Sequence, residues 1–98
     1  MSKTPFMMAK FAYHRKIPQH MHGAIERYIN HGILPGGFLT AVLENDLIGA
    51  FGKADHINKS SIPTYLEFFC MDAPSACWGS VENVKTWVAH RGLEKYSA

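Results

Sequence analysis

An all-α fold, a compact bundle of about four short helices behind a basic, aromatic N-terminal arm, is what the 98-residue sequence predicts. Three observations carry this. Apolar residues recur at spacings of three and four along most of the chain, with no sustained alternation of the strand kind. Proline, glycine and serine stand at the ends of the periodic segments, where helices start and stop. Hydrophobic residues make up 47% and charged residues 18%, which suits a globular chain rather than a disordered one. The length suits one domain, taken as residues 17–98, with residues 1–16 as the arm.

The first helix is predicted over about residues 18–31. Pro18 fits the first helical position, where a missing N–H costs little. Met21, Ala24, Ile25, Tyr28 and Ile29 then share one face, and Gly32 suits a left-handed cap. Pro35, Gly36 and Gly37 turn the chain into a second helix that starts near Gly37 or Phe38. Leu39, Val42, Leu43, Leu47, Ala50 and Phe51 form its stripe, widened by Phe38, Ala41 and Ile48. Being apolar over much of its circumference, it is expected to be the central, most buried helix, capped at Gly52 or running on to Asp55. Gly49 weakens it locally and leaves room for a neighbouring helix.

Residues 56–61 are mostly polar and are expected to form a connector. A third helix then starts at Pro63, with Ile62, Leu66, Phe69, Cys70 and Ala73 inward and Tyr65 and Phe68 off its centre, and Pro74 ends it. Ser80 is the N-cap of a fourth helix whose face is Val81, Val84, Trp87 and Val88. Gly92 closes it, and LEKYSA follows as a tail.

Charge is unevenly placed. The net charge is +2, yet the first 25 residues hold Lys3, Lys10, Arg15 and Lys16 and no acid, leaving six cations against eight acids in the remainder. A basic arm on a mildly acidic body points to a polyanion or an acidic protein face as partner, or to an ordinary solvated end. No apolar run approaches the ~20 residues of a membrane span. Lys10 interrupts the N-terminal apolar stretch and no small-residue cleavage site follows, so no signal peptide is read. Two cysteines are too few for a disulfide framework. The expectation is a cytoplasmic protein with Cys70 buried in a helix and Cys77 in a loop.

Candidate chemistry is thin. The turn ILPGGF lacks the lysine and hydroxyl of a Walker loop, and a helix rather than a strand precedes it. Its amides at Gly36, Gly37 and Phe38 could hold an anion, but an interhelix corner explains it as well. His20 and His22 point apart on a helix, and the six-residue gap between Cys70 and Cys77 is unlike that of a zinc knuckle, so no metal site is assigned. Glu44 with Asp46 and Glu67 with Asp72 diverge. Cys77 with a histidine would need the fold to bring them together. No catalytic residues and no cofactor are expected.

The arm carries more. Lys3, Lys10, Arg15 and Lys16 alternate with Phe6, Phe11, Tyr13 and His14, a mixture able to neutralise phosphates and stack on bases. The same large groups, with Met7 and Met8, equally suit a protein interface or packing on the body. Trp78 is a second candidate anchor, and an Ala73–Pro74 bond that can populate cis is a candidate gate beside it. The expected partner-binding residues are Phe6, Met7, Lys10, Phe11, Tyr13, Arg15, Lys16, Pro74 and Trp78.

The segment IPQHMHGAIERYINHGILPGGFLTAVLENDL resembles short proteins of temperate phages and prophages, a resemblance that covers about residues 17–91. Such proteins are often accessory factors that bind and redirect a host machine. One kind modulates the host recombination exonuclease–helicase that attacks linear DNA ends. The resemblance therefore implies a non-enzymatic protein that binds and modulates a host DNA-processing enzyme; it assigns no residue roles. The alternative is a small nucleic-acid-binding protein that uses the arm. A homodimer stays open if the apolar stripes exceed what four short helices can bury.

Overall fold

Pro18 brings the chain into a 3-10 turn, Gln19–Met21, that feeds α1, His22–His31. The computed structural model describes residues 6–7 and 16–94. Those residues form α-helices and short 3-10 turns with no strand among them, so the all-α expectation holds, with five α-helices rather than about four. Helix α1 buries Ile25, Tyr28 and Ile29 and stops where Gly32 takes φ 67°. There the Gly32 N–H donates to the Tyr28 carbonyl at 2.9 Å and the Ile33 N–H reaches back to Arg27 at 3.5 Å. Left-handed backbone of this kind is cheap only for glycine.

The expected second helix is in fact two. Helix α2, Gly37–Leu43, buries Phe38, Leu39, Ala41, Val42 and Leu43 and is the central helix. Asn45 then takes φ 64° and breaks the helix before α3, Leu47–Lys53. Asparagine tolerates the left-handed region, and the next residue, Asp46, is a strong N-cap. Its Oδ1 accepts from the Gly49 N–H at 3.0 Å. A Cβ at position 49 would run into the capping Asp46 carboxylate, so the nearest neighbour of this glycine is its own cap rather than the neighbouring helix expected there. Helix α3 continues through Gly52 to Lys53 and buries only Ala50.

Residues 56–61 are not a connector. They form the first turns of α4, His56–Met71, which Asp55 caps by accepting from the Asn58 N–H at 2.7 Å. Pro63 therefore lies inside the helix, on its exposed side, where water can replace the missing N–H. One turn earlier the Ser60 and Ser61 hydroxyls both donate to the Ile57 carbonyl, at 3.0 and 2.9 Å. Starting seven residues sooner extends the inward face to Asn58, which accepts from the Tyr65 hydroxyl at 2.7 Å. The buried residues of α4 are then Asn58, Tyr65, Phe68 and Phe69, while Ile62 and Leu66 pack at the edge and Cys70 is exposed. Tyr65 and Phe68 are thus at the centre of the face rather than off it.

Pro74 precedes a 3-10 turn, Ser75–Cys77, and its peptide bond is trans. Ser80 then caps α5, Val81–Ala89, which buries Val84 and Trp87. Tyr28 joins three parts of the bundle. Its hydroxyl donates to the Cys77 carbonyl at 2.6 Å, and its own carbonyl accepts from the Trp87 indole N–H at 3.0 Å. A last 3-10 turn, Gly92–Glu94, lies against the end of α1, where a Cβ on Gly32 would stand 2.7 Å from the Gly92 nitrogen.

Candidate functional site

Helix α3 has the composition of a core helix and the exposure of a surface one. Of LIGAFGK, Ala50 alone is buried, while Leu47 is 42%, Ile48 88% and Phe51 56% exposed. The geometry follows from the break at Asn45. A helix continuing from α2 would carry the α2 face onward. The Asn45–Asp46 corner instead sets α3 on a new axis, with one small residue inward. At about 100° per residue, Ile48 and Gly52 each lie about 160° from Ala50, so they straddle the outward line. Leu47 and Phe51 fill one flank. Ile57, in the first turn of α4, is another exposed apolar residue close by in the chain. The Lys59 ammonium sits 5.0 Å from the Phe51 ring centre, a cation–π contact that leaves the ring partly open.

Single exposed leucines mean little, but several large apolar side chains on one short helix form the kind of patch that interfaces cover. This was not legible as a surface in the sequence. Periodicity reports which side chains are apolar, and Leu47, Ile48 and Phe51 satisfied the pattern of α2 if the helix ran straight.

The sequence-predicted contact residues are distributed otherwise. Phe6 is in the core, 8% exposed, edge-on to Phe68 with ring centres 5.9 Å apart. Asn30 clamps its backbone: Oδ1 accepts from the Phe6 N–H at 2.6 Å, and Nδ2 donates to its carbonyl at 2.9 Å. Burial removes Phe6 from the set presented to a partner. Met7 and Lys16 are exposed. Lys10, Phe11, Tyr13 and Arg15 lie outside the described residues. Trp78 is half-buried with its ring centre 6.1 Å from that of Phe69, and Pro74 is half-buried.

The chemistry-bearing residues do not assemble either. Cys70 lies in a helix as expected but is exposed rather than buried, and Cys77 lies in the turn between α4 and α5, where it is buried. Burial pushes the Cys77 thiol up to about 12, so it stays protonated near neutrality and is a poor nucleophile. Among the described residues no three His, Cys, Asp or Glu side chains converge on a metal-sized space. The His22 ring donates through Nε2 to the Ile17 carbonyl at 2.9 Å, a structural use. At the Pro35-Gly36-Gly37 corner, the Thr40 hydroxyl donates to the Pro35 carbonyl at 3.0 Å and closes the turn. Among the described residues no helix is long and apolar enough to cross a membrane.

No protein-family model, curated protein or solved structure matches this chain.

Proposed function

We propose that this chain is a non-enzymatic accessory protein that acts by docking the outward face of α3 on another protein. The observation that carries the reading is the exposure of Leu47, Ile48 and Phe51 on a helix that buries only Ala50. The Asp46 cap fixes the start of α3, and the Asp55 cap starts α4 just beyond its end. The resemblance to small phage proteins supports a host DNA-processing enzyme of the recombination exonuclease–helicase kind as the partner, met in the host cytoplasm.

The test is degradation of linear duplex DNA by the purified host exonuclease–helicase, with and without this protein. Wild type slows or redirects the reaction. Ile48→Glu, which alters an exposed position and leaves the circular dichroism unchanged, needs at least ~10-fold more protein for the same effect. An enzyme indifferent to wild type refutes the reading. Direct, steeply salt-dependent binding of the protein to DNA would support the nucleic-acid alternative instead.

A further inference from the structure

We propose that the place filled by Phe6 is a peptide site: it takes a phenylalanine from an extended segment of a partner protein in exchange for the chain's own. This does not depend on the reading of α3.

The bonds come first. Phe6 and Met7 belong to no helix or turn. Phe6 is nevertheless fixed at both of its backbone groups, by one side chain 24 residues away. The Asn30 Oδ1 accepts from the Phe6 N–H at 2.6 Å, and its Nδ2 donates to the Phe6 carbonyl at 2.9 Å. Extended backbone turns the N–H and C=O of one residue to the same side, as in a strand, so a single amide meets both. Strand-like peptide recognition works this way: main-chain bonds give affinity, and a pocket for the side chain gives specificity. Here the pocket is aromatic. The Phe6 ring stands edge-on to Phe68 with centres 5.9 Å apart, and Phe68 in turn meets Phe69 at 5.0 Å.

Position agrees. Asn30 lies in the last turn of α1 and is half-buried, so its amide is within reach of solvent. Phe6 is the most exposed of the described core residues at 8%, whereas Phe68 and Phe69 are at 0% and 1%. The site is thus a recess at the rim of the core. Met7 is already 46% exposed, so the chain leaves the recess as soon as it has filled it. The two hydrogen bonds read peptide groups and the recess reads one ring. A partner segment that presents a phenylalanine in extended backbone makes the same contacts. Phe6 competes with it as a tethered ligand, at an effective concentration on the order of 1 mM.

The probe is the capped peptide KTPFMMA, the chain's own residues 3–9. It is titrated to about 5 mM into the isotope-labelled full chain, with the Asn30 side-chain amide signals followed by NMR. Phe6→Ala binds the peptide at least ~10-fold more tightly than wild type, because the tethered competitor is gone. Phe6→Leu falls between the two, and it decides the matter if Phe6→Ala loses its helical circular dichroism, since an apolar side chain of similar volume keeps the fold. The same peptide with alanine in place of its phenylalanine does not bind. A peptide methylated on the phenylalanine nitrogen binds at least ~5-fold more weakly, because the Asn30 Oδ1 loses its donor. Overturning results are a folded variant that ignores the peptide throughout, variants that bind it no better than wild type, or indifference to the N-methyl group, which marks an unspecific apolar contact.

Discussion

Gly32→Ala tests how the Gly92–Glu94 turn is held against the end of α1. Gly32 has φ 67°, and an L-residue there costs about 1–2 kcal/mol before any contact is considered. Contact adds to this, since the new Cβ would lie 2.7 Å from the Gly92 nitrogen, 2.9 Å from the Arg91 Cα and 3.0 Å from the Arg91 carbonyl carbon. All three are backbone atoms, so no rotamer change relieves them. The turn Gly92–Glu94 must move off the end of α1 by roughly half an ångström or more, loosening Leu93 against the core. Together the terms come to about 2–4 kcal/mol, a large share of the ~5–10 kcal/mol expected of a domain this size. That corresponds to a fall in Tm of roughly 10–25 °C. Gly36→Ala is the control: Gly36 has φ −66° and a Cβ there meets nothing within 4 Å, so its effect is limited to the loss of a glycine N-cap, about 0.5–1 kcal/mol. Urea unfolding followed by circular dichroism measures both. A Gly32→Ala protein within 0.5 kcal/mol of wild type, or one no less stable than Gly36→Ala, would refute the packed left-handed cap.

Two other outcomes follow from the thiols and phenols. In the folded protein a disulfide reagent should label Cys70 at once and Cys77 only after denaturation, because the first is exposed and the second buried; rapid labelling of both would contradict the packing of the Ser75–Cys77 turn. Stability should be undiminished by Cys77 below its ordinary value of 9.0 and fall as pH rises from there towards about 12, since the unfolded thiol ionises first and the folded one holds its proton. Tyr28 and Tyr65, whose phenols burial also pushes upward from 10.0, extend the loss at higher pH. Cys77→Ala should flatten the part of the urea-midpoint profile that begins near pH 9; an unchanged profile would argue against a buried thiol.

The helix ends show how much was legible beforehand. Gly32 and Ser80 act as the caps their residue types announce, because capping is local chemistry between a side chain or a φ angle and its nearest amides. Asn45-Asp46 and Asp55 carry the same kind of signal, a left-handed asparagine and two carboxylate N-caps, and could have been read as helix boundaries. Apolar periodicity masked the first, and the polar character of residues 56–61 together with Pro63 masked the second. Cys70 and Cys77 show a different limit. Each is apolar enough to be buried, and only the rotation of α4 about its axis, set by packing Asn58, Tyr65, Phe68 and Phe69 inward, turned Cys70 to solvent.

By itself, then, the sequence determined a helical body, the C-terminal end of α1, the start of α5, and the apolar character of the stretch from Phe38 to Phe51. These depend on propensity, caps and periodicity, which act over a few residues. Tertiary structure alone decided which apolar residues were left outside. The break at Asn45 re-aimed α3 so that one alanine, rather than its leucine, isoleucine and phenylalanine, met the core. Phe6 was drawn in by Asn30 and Phe68, partners distant in the chain. Burial is a competition among all the apolar groups for one small interior, and its outcome depends on where every helix axis lies.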